Sequence, residues 1–290
     1  MELYKYQGAG NDFLIADNRD GAILHGEAAA YGCGDMMLPP ARIAELCDRR
    51  YGIGADGLML LENADDADFR MVYYNSDGSG GMMCGNGGRC IVAFADRCGT
   101  DGLDFIAADG PHSAMILSRS GKSCTVRLKM KDVRGIYTRG EDGLVGYFLD
   151  TGTRHFVRQV GTLSEYDVFS EGRRIRYREE FAPIGTNVNF VEPYDGLLHV
   201  RTYEKGVEDE TFACGTGITA SAIAMWHDVA AHPERGSQYN GVFRTAESGR
   251  IHVDVKALRD YLSVDFIPAD DGADDVWLTG PAVYVGKIIV

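Results

Sequence analysis

A cysteine-glycine motif occurs twice in this chain, each time at the start of an apolar segment with helical spacing. The motif reads Cys-Gly-Asn-Gly at residues 84–87 and Cys-Gly-Thr-Gly at residues 214–217, nearly half of the 290-residue chain later. After the first copy, apolar residues recur at i, i+3, i+4 and i+7 until Gly99, and this predicts one face of a helix. After the second copy, alanine-rich sequence predicts a helix from about residue 218 to 231. The repeat therefore predicts two similar halves, each with a helix that begins at a cysteine.

Short strands surround both motifs. Apolar and alternating runs predict strands at residues 3–6, 13–17, 58–61, 69–74, 103–106, 114–118 and 124–130, and then at 146–150, 155–160, 187–192, 197–203, 251–256, 261–266 and 276–279, with a last strand after Gly280-Pro281. A short helix is predicted at residues 41–50, and the polar stretch 131–145 is the best candidate for a linker. A doubly wound parallel sheet needs a helix between successive strands, so this pattern excludes it. We predict an α+β fold of two domains, each with mostly antiparallel strands around a central helix.

Charge and composition limit the classes of partner. Lysine and arginine number 29 against 43 aspartates and glutamates, and the net charge of −14 disfavours nucleic acid and anionic membranes as partners. No apolar run approaches the roughly 18 to 20 residues of a membrane span, and the N-terminus lacks a secretory pattern. We therefore expect a cytoplasmic protein that acts on a small molecule, with a homodimer as a candidate assembly.

The cysteines outside the two motifs suggest a structural role. The chain has seven cysteines, and an odd number in a chain of this length favours free thiols over a disulfide framework. We interpret four as small apolar core residues and Cys33, between two glycines, as incidental; the four are Cys47, Cys90, Cys98 and Cys124.

A cysteine at a helix start has a specific chemistry. The first amides of a helix lack intrahelical partners and lie at the positive end of the helix dipole, so they favour both a thiolate and a bound carboxylate. The glycines at 85–88 and 215–217 let a carboxylate approach the backbone. Two such thiols on opposite faces of one carbon would remove a proton from one side and deliver one to the other, inverting the stereocentre. No metal-ligand spacing and no dinucleotide fingerprint is present, and we expect neither a metal nor another cofactor.

Several further segments share their sequence with one enzyme family. They are residues 7–13, 75–79, 83–90, 185–191, 210–217 and 280–282. Together they resemble the diaminopimelate epimerases, and the resemblance covers nearly the whole chain. It implies a cofactor-independent epimerisation of LL-2,6-diaminopimelate to meso-diaminopimelate, in the synthesis of lysine and of peptidoglycan precursors. It also implies two pseudosymmetric domains, each a strand barrel around a central helix, at residues 1–131 with 281–290 and at residues 132–280, and an active site in the cleft between them.

The resemblance also implies residue roles. Cys84 and Cys214 would be the two acid/base residues. The substrate would be held by Asn11, Asn75, Asn187, Glu204 and Lys205 and by the residues at the two helix starts, Gly85, Asn86, Gly215 and Thr216. His155 and Glu204 stand where the family has auxiliary active-site residues.

The chain departs from the family pattern at three places. Lys205 stands where arginine is usual, and lysine keeps the charge but loses a planar, bidentate grip on a carboxylate. Thr153 and Arg154 precede His155 where asparagine and proline are common. The segment 207–209 is one residue longer than the commonest form. These changes affect the expected substrate grip and leave both thiols in place.

Two other functions remain open on the sequence. One is an epimerase of the same fold with another substrate, such as a proline-type racemase, although those enzymes usually have Ser-Pro before the second cysteine and this chain has Phe212-Ala213. The other is a redox or thiol-binding protein that uses the cysteines as a dithiol pair. The absence of Cys-x-x-Cys and the anion-binding glycines argue against this redox alternative.

Overall fold

A computed structural model describes residues 1–23, 38–81, 83–140 and 145–290 of the chain. Cys33 and part of the linker expected at residues 131–145 lie outside the described residues. The chain divides into two compact units, and each is described by itself. Unit 1 comprises Met1–Leu128 and Pro281–Val290, and unit 2 comprises Lys129–Gly280.

Unit 1 contains two helices and eight strands among its described residues. In chain order these are β1 (Glu2–Gly8), β2 (Asn11–Asp17), α1 (Pro40–Cys47), β3 (Gly57–Glu62), β4 (Phe69–Asn75), α2 (Gly85–Arg97), β5 (Phe105–Ala107), β6 (Gly110–His112), β7 (Ala114–Ser120) and β8 (Ser123–Lys129, whose last residue belongs to unit 2). Residues 283–289, at the C-terminal end of β19 (Gly272–Ile289), complete this unit by pairing with β1.

Among its described residues, unit 2 contains two helices, short 3₁₀ turns and most of the remaining strands. These elements are β9 (Val133–Arg134), β10 (Tyr137–Arg139), β11 (Gly146–Asp150), β12 (Arg154–Gln159), α3 (Val168–Arg176), β13 (Asn187–Tyr194), β14 (Leu197–Glu204), β15 (Asp209–Thr211), α4 (Gly215–Ala231), β16 (Phe243–Thr245), β17 (Ile251–Lys256), β18 (Tyr261–Ala269) and β19 (Gly272–Ile289).

The two units repeat one order of elements before their cysteine helices. In unit 1, β1 and β2 pair antiparallel, β2 and β3 pair parallel around α1, and β3 and β4 pair antiparallel before α2. In unit 2, β11 and β12, β12 and β13, and β13 and β14 pair in the same three senses, with α3 in the parallel connection and α4 further on. This shared order of strands and helices accompanies the repeat of the Cys-Gly-x-Gly motif in the sequence.

Each unit has helices on both sides of these strands. Helix α2 packs on β1, β2, β3 and β7, and α4 packs on β11 to β14, β17 and β18. On the other face, α1 shares an apolar cluster with Leu14 of β2 and Leu58 of β3. Helix α3 shares a second cluster with Phe156 of β12 and Val188 of β13. Because side chains alternate along a strand, Asn187 and Asn189 point to the face opposite Val188.

Several features differ from the sequence interpretation: the short strands β6, β15 and β16 were not predicted, α1 ends at Cys47 instead of residue 50, and three further differences follow. Helix α3 was not predicted, because it has only nine residues and few apolar positions; Asp167 caps it by accepting from the Ser170 amide at 3.0 Å. Strands β9 and β10 occupy part of the expected linker. Strand β19 continues through Pro281. Its partner changes from β18, up to Thr279, to β1, from Val283, so neither of these two ladders needs an amide at residue 281.

Among the helices that the structure describes, none is long and apolar enough to cross a membrane.

Candidate active site

Helix α2 of unit 1 begins at Cys84. Cys84 has an extended backbone and occupies the N-cap, and its Sγ accepts a hydrogen bond from the Gly87 amide at 3.3 Å. A Cβ added to Gly87 would lie 3.2 Å from this sulfur, so glycine at 87 leaves room for the thiol over the first turn. The thiol is half-buried and held in the field of the helix N-terminus.

Asn11 and Asn86 are joined directly in unit 1. Asn86 Nδ2 donates to Asn11 Oδ1 at 2.7 Å, and Asn11 Nδ2 donates to Asp56 Oδ2 at 2.8 Å. The carboxylate can only accept, so it fixes which side of the Asn11 amide carries the oxygen. The first residue of β2 and the first turn of α2 are thereby held at a defined separation.

A buried arginine completes this network. Arg89 is fully buried, and its guanidinium donates to Asn86 Oδ1 at 2.8 Å, to the Gly85 carbonyl at 3.1 Å and to the Pro281 carbonyl at 3.2 Å. It links the start of α2 to the point where β19 enters unit 1. The sequence interpretation did not single out Arg89 or Asp56. The sequence signal for Arg89 was its position directly after the glycines of the first motif.

Asn75 is the last residue of β4 and starts the turn that leads towards Cys84. Its Nδ2 lies 3.0 Å from Ser79 Oγ and 3.4 Å from the Gly80 carbonyl, and its backbone amide donates to the Ser79 carbonyl at 2.9 Å. The side chain therefore shapes this glycine-rich turn.

Helix α4 of unit 2 begins at Cys214, which is buried. Its Sγ lies 3.4 Å from Thr216 Oγ1, and the same hydroxyl lies 3.0 Å from His155 Nε2. Thr153 Oγ1 is 2.9 Å from that ring nitrogen and 3.1 Å from the Thr216 hydroxyl. The structure thus brings three of the predicted residues, Cys214, Thr216 and His155, into one hydrogen-bonded group, and adds Thr153 to it.

The state of His155 follows from its surroundings. Asn189 Nδ2 lies 3.2 Å from the Phe156 carbonyl and 3.1 Å from His155 Nδ1, while Asn189 Oδ1 accepts from Thr202 Oγ1 at 2.9 Å. Because a carbonyl only accepts, the amide group of Asn189 faces the ring and Nδ1 is the acceptor. The proton is then on Nε2, towards Thr153 and Thr216. Complete burial lowers the pKa of His155 to about 3, so the ring is neutral near pH 7.

Asn189 contacts the His155 ring, and the sequence interpretation did not name it. It lies two positions after Asn187 on β13, so both asparagines point to the same face. Asn189 is fully buried, but the sequence shows only a polar residue within an apolar run. A Cβ on Gly217 would come within 2.3 Å of Asn189 Oδ1, so the second glycine of the motif is needed for this approach.

Asn187 links two other predicted residues of unit 2. Its Nδ2 donates to the Arg154 carbonyl at 3.0 Å, and its Oδ1 accepts from the Lys205 amide at 2.8 Å. Glu204 Oε2 accepts from Thr211 Oγ1 at 2.9 Å, while Lys205 is exposed. The contact that the structure gives for Lys205 is therefore through its backbone.

The other described cysteines have a different environment. Burial raises the pKa of Cys47 and Cys98 to about 11, and it also raises the pKa of Cys90 and Cys124. These thiols stay protonated near neutral pH and are poor nucleophiles and bases. The structure places no disulfide among the six cysteines that it describes. In the described ranges, no group of three or more His, Cys, Asp and Glu residues could hold a metal ion.

Comparison with known proteins assigns the family. The model of the diaminopimelate epimerase family matches residues 3–116 and 147–239. The chain belongs to the diaminopimelate epimerase family. The diaminopimelate epimerase of Flavobacterium psychrophilum is 41% identical over 98% of this chain and 98% of its own, and that of Chlorobaculum tepidum is 39% identical over 97% and 98%. The resemblance predicted from the sequence motifs is confirmed, and the chain is an isomerase.

Solved structures of other members of this fold align over the full chain. A phenazine biosynthesis protein of the PhzF family from Bacillus anthracis covers 100% of this chain and 98% of its own, with a TM-score of 0.69 at 14% identity. A probable proline racemase from Agrobacterium radiobacter covers 100% and 92%, with a TM-score of 0.66 at 16% identity. At these identities the likeness shows the fold alone. The predicted α+β fold class of the diaminopimelate epimerase type is confirmed.

Proposed function

We propose that this protein converts LL-2,6-diaminopimelate to meso-diaminopimelate without a cofactor, by proton transfer between the α-carbon and two cysteines, Cys84 and Cys214. The reaction would serve the synthesis of lysine and of peptidoglycan precursors. The observation that carries the proposal is the repeated helix start: in both units a helix begins with a cysteine at its N-cap followed by Gly-x-Gly. Membership of the family supports the choice of substrate.

Protons and electron pairs balance in the proposed reaction. One cysteine, as the thiolate, takes the α-proton and becomes a thiol, while the electron pair of the broken C–H bond remains on the substrate. The other cysteine, as the thiol, gives its proton to the opposite face of the same carbon and becomes a thiolate. The stereocentre is inverted, and the two cysteines have exchanged protonation states. The reverse reaction begins from that exchanged state.

The helix starts would also stabilise the charge that develops. When the α-proton leaves, negative charge spreads onto the substrate carboxylate. The amides of Gly85 and Asn86, and those of Gly215 and Thr216, lie in the first turns of α2 and α4, where backbone donors lack intrahelical partners. Donors that are fixed before the reaction stabilise such charge without reorganising, and this is a large term in catalysis.

The two thiols have different supporting groups. The Gly87 amide donates to Cys84, as expected for a thiolate held at a helix N-terminus. At Cys214, His155 Nε2–H can donate a hydrogen bond to Thr216 Oγ1. The Thr216 hydroxyl can then donate its own hydrogen bond to the sulfur of Cys214. His155 would therefore orient a donor towards Cys214 while remaining neutral.

The polar residues near the helix starts suit an amino acid substrate. Asn11, Asn75 and Asn187 would contact its ammonium and carboxylate groups, and Glu204 and Lys205 would supply charges of both signs. Asn11 and Asn187 are also tied into their own units by hydrogen bonds, which reduces the entropy lost when the substrate binds. Lys205 would act as a point charge in place of the family's bidentate arginine.

The proposed function is tested by an assay of the purified protein with no added cofactor. LL-Diaminopimelate and L-proline are supplied in parallel, and the stereoisomers are separated by chiral chromatography. We expect meso-diaminopimelate to form and L-proline to remain unchanged. Racemisation of proline alone would assign a proline-type activity, and turnover of neither substrate would contradict the proposed function.

A further inference from the structure

We propose that Glu208 is a positioning residue that clamps the turn after Glu204 and Lys205 onto helix α3, and so holds the substrate-binding groups of unit 2 in place. This inference rests on the proposed function and extends it to a residue with no direct part in the chemistry. Glu208 lies in segment 207–209, where the sequence resemblance implies a departure from the family pattern.

The turn has an unusual backbone at Glu208. It joins β14 to β15, with Glu204 opposite Asp209 and the Glu208 amide donating to the Glu204 carbonyl at 2.8 Å. Gly206 has a φ of 94°, which glycine adopts readily, but Glu208 has a φ of 58°, which is unfavourable for a residue with a side chain. A glutamate in this conformation needs compensating contacts.

The carboxylate of Glu208 receives those contacts. Oε1 accepts from the Gly206 amide at 3.1 Å and from Arg176 Nη2 at 3.3 Å, and Oε2 accepts from the hydroxyls of Tyr177 at 3.0 Å and Tyr203 at 3.2 Å. Arg176 ends α3, Tyr177 follows it, and Tyr203 is on β14. One side chain therefore joins the turn, its preceding strand and the helix.

The electrostatics agree with this geometry. Burial opposes ionisation of Glu208, but the Gly206 amide, the Tyr177 hydroxyl and the charge of Arg176 outweigh it and hold the pKa of this carboxyl below its usual range. The carboxylate is therefore charged at neutral pH, when its hydrogen bonds are strongest.

The clamp connects to the proposed substrate-binding residues through two routes. The Gly206 amide donates to the Glu208 carboxylate, and the neighbouring Lys205 amide donates to Asn187 Oδ1. On the other side, Arg176 lies against Gly185, where a Cβ would come within 1.7 Å of its Nη1, two residues before Asn187. Loss of the Glu208 carboxylate would loosen the Lys205–Gly206 backbone and the end of β14 where Glu204 lies.

The kinetic test compares Glu208→Ala and Glu208→Gln with Glu171→Ala. Glu171 is on helix α3 and pairs with Arg174 at the surface. The Glu171→Ala variant therefore controls for loss of a carboxylate and of an ion pair on α3. We expect Glu208→Ala to raise KM for diaminopimelate about tenfold with kcat within about twofold, because substrate grip is lost and the thiols are unchanged. Glu208→Gln should fall between Glu208→Ala and wild type, and Glu171→Ala should match wild type.

Amide hydrogen exchange provides a readout that needs no activity. In the wild type the amides of Lys205 and Gly206 should be protected by Asn187 and Glu208, and in Glu208→Ala they should exchange about tenfold faster or more while β13 keeps its protection. Unchanged exchange at these amides, or a KM equal to that of Glu171→Ala, would overturn the proposal. If Glu208→Ala does not fold, Tyr177→Phe removes one donor and should shift both readouts in the same direction; no shift would refute the clamp.

The two proposals fail in different ways. If the wild type has no epimerase activity, the proposed function fails, while the exchange rates still decide whether Glu208 holds the turn. If the wild type is active and the variants keep its KM and its exchange rates, the proposed function stands and the clamp fails.

Discussion

Replacing Cys84 or Cys214 by alanine is expected to lower kcat for epimerisation at least about a hundredfold. Each thiol performs one of two proton transfers, and a positioned acid or base typically contributes a factor of about 10² to 10⁴. The remaining amides of the helix start cannot accept or deliver the α-proton. The change is measured by steady-state kinetics from both diaminopimelate stereoisomers, since each cysteine would be the base in one direction and the acid in the other.

The matched control is Cys124→Ala. Cys124 is a partly buried thiol on β8, outside both helix starts, and burial raises its pKa so that it stays protonated. This variant should keep wild-type kcat. Full activity in Cys84→Ala or in Cys214→Ala, with the control also active, would refute the two-thiol mechanism.

The neutral state of His155 is expected to make the protein lose stability in mild acid. The pKa of this ring is about 3 in the folded protein, against an ordinary value near 6.5. As pH falls below 6.5, the unfolded chain takes up a proton that the folded chain does not. The resulting loss of stability begins at that pH and grows until the folded pKa is reached. From pH 6.5 to 5 this one group would remove about 2 kcal/mol.

Urea unfolding at several pH values measures this effect. Carboxylates also titrate in acid, so the comparison is with His155→Gln, which has no proton to gain. Between pH 6.5 and 5, the free energy of unfolding of the wild type should fall by about 2 kcal/mol more than that of the variant. Equal decreases in the two proteins would show that His155 is protonated as easily in the folded state as in the unfolded state. The assignment of a neutral ring with its proton on Nε2, towards Thr216, would then be wrong.

Much of the fold could be predicted because each cysteine helix and most strands have strong local patterns. The helix after Cys84 was predicted from the spacing of Ile91, Phe94 and Cys98, and the structure ends it at Arg97, just before Gly99. Helix α3 could not be predicted, because its stability depends on packing against Phe156 and Tyr203, which are distant in sequence. Local periodicity does not contain that information.

The sequence indicated candidate site residues but not their contacts. Motif positions identified Asn11, Asn86, Asn187 and His155, but the sequence interpretation did not anticipate that Asn86 bonds to Asn11 or that Asn187 holds the Lys205 amide. These contacts depend on strand register. Arg89 and Asn189 were missed because buried polar residues look the same in sequence as exposed ones. Segment 207–209 was interpreted as a departure from the family pattern, but the proposal for Glu208 depends on four donors that the sequence does not show.

The most direct test of the central claim is the origin of the α-hydrogen in the product. LL-Diaminopimelate is converted by the wild-type protein in D₂O, and the product is analysed by mass spectrometry at the start of the reaction, before substrate and product interconvert. With two thiols, the proton removed by one is not the one delivered by the other. The newly formed meso-diaminopimelate should therefore carry one deuterium at the inverted carbon. Retention of the substrate's own protium in most of the product would show one base returning its proton, and would contradict the account.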